Sequence, residues 1–389
     1  MQPDRGYFTE TLQRLVRTPS INPAFSDGST GEAEIAGRVA KEMERLGMST
    51  RRFEDVPGRA SVVGVLPGTG GGRSLMLYAH LDTVGIEGME EPFSGEVRDG
   101  RVYGRGSFDM KAGLAACFAA VKALRDQGAA LAGDVLIAAV ADEEAASVGM
   151  QEVLRRVTAD AAIVTEPTEM AVGLAHKGFC WMEVETFGRA AHGSRYDEGI
   201  DANLRMGRFL ARLDAHEREL RASPAHPLVG PPSLHVGVLR GGTGASTYAA
   251  SCVATIERRM TPGETEESVL APLRAIADAL AAEDPTFRAE VRAALTRGSF
   301  EVPADAAVVR AVLAAATEVL GAEPATRGFG FWMDAAFLGA AGIETVVIGG
   351  RGEGAHETVE WADIESHVQV AEILARTAAA YCGPPRPAA

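Results

Sequence analysis

Short apolar runs without polar alternation, separated by helix-length stretches, constrain this chain more than any other feature. SVVGVLPG, SLMLYAHLD, the alanine-rich MKAGLAACFAAVKALRDQG, DVLIAAVADEE and AAIVTEPTE follow one another in its first part. An unalternating apolar run suits a strand covered on both faces, and strands that alternate with helices form parallel sheets. The expected fold is therefore α/β, with a mostly parallel central sheet flanked by helices. Ligands of such sheets gather at the carboxyl ends of the strands.

From about Lys177 the pattern changes. WMEVETFG, SLHVGVLRGG and CVATIERRM read as half-exposed strands, and DANLRMGRFLARLDAHERELRA and ESVLAPLRAIADALAAE read as helices. This predicts a smaller α/β domain over 177–295, inserted into a first domain made of 1–176 and 296–389. Glycine- and proline-rich stretches such as HPLVGPPS mark its loops. After Val302 the strand-and-helix style returns with DAAVVRAVLAAATEVLG, ETVVIGG and a last helix through HVQVAEILARTAAAYC, and the tail GPPRPAA is expected to fray. A length of 389 residues, 46% of them apolar, also favours two domains over one core.

Charge and composition exclude several functions. A formal charge of -15 opposes nucleic-acid binding, which needs clustered Lys and Arg. GTGGGRS lacks the Gly-Lys-Ser/Thr ending of a phosphate loop and precedes a strand. The first twenty residues lack the apolar core of a signal peptide and no apolar run is long enough to span a bilayer, so a cytoplasmic protein without membrane contact is expected. Cys117, Cys180, Cys252 and Cys382 are far apart, which argues for reduced structural thiols rather than a disulfide framework. Of 38 basic residues only Lys41, Lys111, Lys122 and Lys177 are lysines. Lys111 stands inside one of the motifs considered next.

Acidic residues and histidines close the apolar runs. His80 and Asp82 end LMLYAHLD, two positions apart and so on one face of a strand. Asp109 follows GRGSF and stands where a helix starting at Met110 would take an N-cap carboxylate. Glu143 and Glu144 lie side by side after VLIAAV; adjacent carboxylates repel unless they are solvated or share cations. Glu166 follows AAIV, and His356 follows ETVVIGG through a glycine-rich loop. Singly, each is an ordinary polar residue at an element end. Five apolar runs, each followed by His, Asp or Glu in one α/β domain, point instead to a common site. Two histidines and three carboxylates suit two divalent cations with one carboxylate bridging; zinc is the first expectation, and cobalt or manganese also fit.

HLDTV, GRGSFDMKAG, ADEEAASVG, TEPTE and GAHET, in this order and spacing, resemble the M20 metallopeptidase family, which includes acetylornithine deacetylase, succinyl-diaminopimelate desuccinylase and glutamate carboxypeptidase. The resemblance runs from about Leu12 to the last helix. It implies that Asp109 bridges two metals, that His80 and Glu166 complete one site, and that Glu144 and His356 complete the other. It makes Glu143 the general base and Asp82 a support for His80. It implies that the insert is a lid and homodimerisation domain, with His192 reaching into the partner subunit's site to polarise the scissile carbonyl. Arg259, with Arg258 as its competitor, matches an arginine that holds a substrate carboxylate, and Ser246 stands where the deacetylases usually carry asparagine. Phe331, Trp332 and Met333 replace smaller or polar residues, and tolerance of an apolar group is expected from them.

The expected activity is removal of an acyl group from an N-acyl amino acid, through water activated by two metals with Glu143 as base. The alternatives are a carboxypeptidase or dipeptidase of the same mechanism and a catalytically silent binding protein. Glutamate at 166 resembles the deacylase and carboxypeptidase members, whereas several di- and tripeptidases carry aspartate there.

Overall fold

LMLYAH forms the strand Leu75–His80, buried along its whole length as its unalternating sequence requires. In the computed structural model, which describes residues 1–26, 29 and 31–384, this strand lies near the middle of a mixed sheet. Across the sheet the order is Ser49–Phe53, Ser61–Leu66, Val135–Val140, Leu75–His80, Ala161–Val164, Glu344–Val347 and Val172–His176. Val135–Val140 through Glu344–Val347 run parallel. The pairings outside them are antiparallel. The expected α/β class with a mostly parallel centre is thus the observed one.

The chain divides into two compact units. Among the described residues, 1–174, 302–327 and 333–384 form the first, and 175–301 with 328–332 form the second. Of the tail expected to fray, 385–389 lie outside the described residues.

In the first unit the helix Ala112–Asp126 is buried from Ala112 through Val121 and packs against the C-terminal helix Ile364–Tyr381. Its small side chains allow this close approach. At Gly113 the approach is extreme, since a Cβ there would come within 2.5 Å of the Thr165 carbonyl oxygen, at the end of Ala161–Val164. A second, four-stranded sheet orders Gly352–Glu353, Trp361–Asp363, Arg101–Tyr103 and Glu96–Arg98. It pairs the segment before Asp109 with the segment after His356.

The second unit is a four-stranded antiparallel sheet in the order Ser233–Gly241, Ser251–Met260, Gly178–Phe187 and Arg288–Arg297. The central strands alternate strictly in burial, with Cys180, Met182, Val184, Cys252, Ala254 and Ile256 turned inward. The helices Ala202–Ala222 and Glu266–Glu283 supply Met206, Phe209, Leu270 and Leu273 to the same core. Asp201 caps the first helix, and Thr265 with Ser268 forms a capping box on the second. All four cysteines are free and buried. Among the described residues no helix is long and apolar enough to cross a membrane.

Replacing Gly113 by alanine is expected to destabilise the protein by about 1–3 kcal/mol through overpacking against Thr165. Chemical denaturation checks this, and a loss near zero would show that the helix can back away from the strand end.

Candidate active site

Sheet order decides which of the five side chains can meet without help. His80 ends Leu75–His80, and Glu166 lies two residues beyond the adjacent Ala161–Val164. Glu144 follows Val135–Val140 and His356 follows Glu344–Val347, the outer two of the four parallel strands, about 14 Å apart at the usual strand spacing. The long loop after Val347 closes that gap. In it Gly354 (φ 82°) makes a turn where a Cβ would lie 1.8 Å from the Val359 carbonyl oxygen, and His356 itself is left-handed (φ 62°).

Asp109 arrives differently from the expectation. It follows no strand of the main sheet, so four of the five residues stand after main-sheet strands rather than all five. Nor is it a helix cap: Asp109 (φ -113°, ψ 95°) and Met110 (φ -132°, ψ 35°) are both non-helical and the helix begins at Ala112. The reason is a carboxylate that the sequence reading passed over. Glu360 accepts the Phe108 and Asp109 N–H groups on Oε1 (2.9 and 3.0 Å) and the Gly106 N–H on Oε2 (2.9 Å), which holds this segment out of helical geometry.

Two donor trios result, each with its ligand atoms within 4.8 Å of one another: His80, Asp109 and Glu166, and Asp109, Glu144 and His356. His80 Nε2 is 3.1 Å from Asp109 Oδ1 and 3.8 Å from Glu166 Oε1. His356 Nε2 is 3.3 Å from Asp109 Oδ2 and 3.0 Å from Glu144 Oε2. His80 Nδ1 is 3.0 Å from the Asp82 carbonyl oxygen, which can only accept, so this nitrogen carries the proton and Nε2 is left to face the carboxylates.

The Asp82 carboxylate lies 3.7 Å from His80 Nδ1 and makes its closer contacts elsewhere. The strand stops at His80, so two-residue alternation does not govern Asp82. Its oxygens accept the backbone N–H groups of Glu143 (3.0 Å) and Glu144 (3.1 Å), and Oδ2 also accepts from Asn22 Nδ2 (2.9 Å). Asn22 donates again to Asp142 Oδ1 (2.9 Å), and Arg59 pairs with Asp142 and with Glu32. This buried network sets the direction of the paired glutamates. Behind it, Tyr78 O–H donates to Asp334 Oδ2 at 2.7 Å. Asn22, Arg59, Asp334 and Glu360 escaped the sequence reading because each is a single polar residue without a partner nearby in sequence.

The electrostatics describe a site crowded with negative charge. Burial and then Glu166 hold the Glu143 carboxyl well above the usual carboxylate range. Burial likewise raises Glu166, and burial with Asp109 raises Glu144 to about 7. Hydrogen bonds to Asp109 and Glu144 raise His356 to about 10. Burial alone would lower His80, but Asp109, Glu166 and Asp82 outweigh it and hold it well above its usual value. Buried carboxylates that resist ionising, gathered around two imidazoles whose protons a metal ion can displace, are a donor set that divalent cations fit.

Lys111, the motif lysine, is buried and donates from Nζ to the Thr18 carbonyl oxygen (2.9 Å); it fastens backbone rather than reaching the site. Met333 is buried in the core, leaving Phe331 and Trp332 as the accessible part of that segment. Within the second unit, His192 and Ser246 share one loop cluster, since the Gly193 N–H donates to the Ser246 carbonyl oxygen and His192 bridges Thr247. Arg258 is buried against Glu264, whereas Arg259 is more open, bonded to Glu257 and stacked over Phe179 at 5.5 Å.

The sequence matches the family described as Peptidase family M20/M25/M40 over residues 76–380. The chain belongs to that family. It is 33% identical to an acetylornithine deacetylase from Myxococcus xanthus, over 88% of this chain and 90% of that protein. Among solved structures it resembles the aminopeptidase PepT from Bacillus cereus (TM-score 0.80, 22% identity, 97% of this chain and 98% of that one). It also resembles the YXEP protein from Bacillus subtilis, a dinuclear metal-binding peptidase of family M20 (TM-score 0.75, 17% identity, 97% and 99%). This M20 protein is a hydrolase that acts on amide or peptide bonds.

Stripped of cations, the M20 site should make the protein less stable as pH rises from about 5 to about 7. Glu144 and Asp334 are raised to about 7 and Glu32 to about 8, in each case first by burial. A raised folded pKa contributes stability below the unfolded value that is lost as pH climbs through the folded one. His367, pushed down to about 4 by burial, and His216, lowered by burial, act oppositely, but Glu143 and Glu166, held well above their usual range, add to the fall. Thermal melts in chelator should therefore fall over this range and flatten when divalent ions are added. A melting point that climbs through the same range in chelator contradicts this electrostatic account.

Proposed function

We propose that this M20 hydrolase removes the acyl group from an N-acyl amino acid, using two divalent ions. The observation that carries the reading is the pair of donor trios joined at Asp109, with the buried Glu143 carboxyl in the charge field of Glu166 and His80. His80, Asp109 and Glu166 would hold one ion, and Asp109, Glu144 and His356 the other. Zinc is the first choice for this mixed imidazole and carboxylate set, with cobalt or manganese as substitutes. The likeness to the Myxococcus xanthus deacetylase supports the acyl-amino-acid substrate.

When bound, the ions would lower the pKa of a water and polarise the amide carbonyl. Glu143, whose carboxyl burial and Glu166 hold above the usual carboxylate range, takes the proton from the attacking water and passes it to the departing amine nitrogen. Asp82 keeps Glu143 aimed by accepting its backbone N–H and keeps His80 in one tautomer through its own carbonyl. In the second unit, Arg259 would hold the substrate carboxylate as a planar bidentate donor, and Ser246 would contribute a hydroxyl to substrate binding. Phe331, with Phe329 at 5.3 Å between ring centroids, suits an apolar acyl or side-chain group.

The second unit acts in this reading as lid and dimerisation domain, with His192 lent to the partner's scissile carbonyl. Its edge strand Ser233–Gly241 exposes Val236, Val238 and Leu239, a surface that a second copy would cover. A cytoplasmic location suits four free cysteines.

With N-acetylornithine, N-succinyl-diaminopimelate, N-acylated apolar amino acids and dipeptides compared side by side, the N-acyl amino acids should turn over fastest. Faster cleavage of dipeptides would transfer the protein to the peptidase branch, and no turnover of any amide would favour a silent binding protein. Glu143→Gln should retain its metal and lose about 10²–10⁴-fold in kcat; wild-type turnover would remove Glu143 as base. Light scattering should give the mass of a dimer, and Leu239→Asp that of a monomer. A monomeric wild type at working concentration contradicts the dimer and with it the lending of His192.

A further inference from the structure

Three loops of the site are fastened to one buried ion pair. Arg105 Nη1 lies 2.6 Å from Glu360 Oε2, with the side chains 4% and 0% exposed. Arg105 Nε donates to the Gly85 carbonyl oxygen (2.9 Å), on the loop that follows His80. Its Nη2 donates to the Glu357 carbonyl oxygen (2.8 Å), next to His356. Glu360 in turn accepts the N–H groups of Gly106, Phe108 and Asp109, and its own carbonyl oxygen accepts the Gly104 N–H (3.0 Å). One carboxylate thus receives four donors, two on each oxygen. A glutamine could not replace it, since its amide nitrogen would confront N–H groups.

We infer that the Arg105–Glu360 pair is the positioning device of the metal centre, setting Asp109 and His356 at the separation that lets one carboxylate serve two cations. Both side chains are buried and act through the backbone of Asp109 and of Glu357, so neither is a catalytic residue. Asp109 needs such a device more than its partners do. It alone lacks a main-sheet strand behind it, and its extended backbone is held by the two N–H bonds to Glu360 Oε1. The inference rests on the proposal that Asp109 is the shared ligand.

The test uses the full chain, freed of metal with chelator, and zinc ion alone as the probe. Glu360→Gln is expected to weaken both zinc-binding steps about 10–100-fold. It should also speed hydrogen exchange at the Phe108 and Asp109 amides in the metal-free protein, and lower kcat while KM stays within about threefold. Glu360→Asp, which keeps the charge on a shorter arm, should recover part of the affinity and provides the readout if the glutamine variant does not fold. Glu42→Gln is the control for lost stability alone, because Glu42 is a buried carboxylate bonded to Tyr7 and Arg45 outside the site. It should bind zinc as the wild type does. Wild-type zinc affinity in both Glu360 variants, or an equal loss in Glu42→Gln, overturns the positioning role. Asp109→Asn separates this from the underlying proposal: if it too binds two zinc ions normally, the shared-ligand reading itself fails.

Discussion

Crowding of negative charge at the carboxyl ends of parallel strands is the constraint around which the first unit is organised. Glu143, Glu144 and Glu166 are all held above the ordinary carboxylate range, first by burial and then by neighbouring carboxylates, Asp109 among them. Such a cluster costs stability unless something positive enters it, and the only side-chain cations among the two donor trios are His80 and His356. The fold tolerates the cost because the surrounding sheet is fully buried and closely packed, so the strand ends cannot splay to relieve the repulsion. A site that is electrostatically unfavourable when empty of cations gains from binding them.

Around that cluster, hydrogen-bonded supports fix directions rather than supply ligands. Asp82 collects the N–H groups of Glu143 and Glu144, and Asn22 ties Asp82 to Asp142, which also pairs with Arg59 and accepts the Val148 N–H. Arg59 must then serve both Asp142 and Glu32, two acids for one guanidinium, and burial with Asp82 pushes Glu32 up to about 8. Repulsion is therefore passed from the centre to its surroundings, where protonation of a remote carboxyl relieves it without disturbing a ligating atom.

The α/β class, the half-exposed strands of the second unit and the five residues whose donor atoms gather in two trios were legible because each leaves a periodic or local mark. LMLYAH cannot alternate if it is covered on both faces, and CVATIERRM must alternate if it is covered on one. Contacts made at long range leave no such mark. Glu360 lies 251 positions from the Asp109 amide it holds, and Asn22 lies 120 from Asp142. Asp109 itself shows the limit from the other side: an aspartate ahead of an alanine-rich run has the local signature of a helix cap. The long-range bonds to Glu360 override that signature and delay the helix to Ala112.

Strand spacing explains why the fifth group had to come from outside the main sheet. Neighbouring strands lie about 4.8 Å apart, so His80 and Glu166, on adjacent strands, meet with little help from loops. Glu144 and His356 start from strands three spacings apart, and one of them must travel; it is His356, on a loop that leaves its side chain about half exposed. A carboxylate that touches both pairs has to descend between them, and no strand end stands there. The second small sheet meets that need by pairing Arg101–Tyr103 with Trp361–Asp363, which brings the segments carrying Asp109 and His356 together before either reaches the site. Its pairing ends at Tyr103 and Trp361, however, short of both residues. The remaining few residues of each segment are spanned by the Arg105–Glu360 pair, which is why a buried charge pair, costly in an ordinary core, is found at this point in the fold.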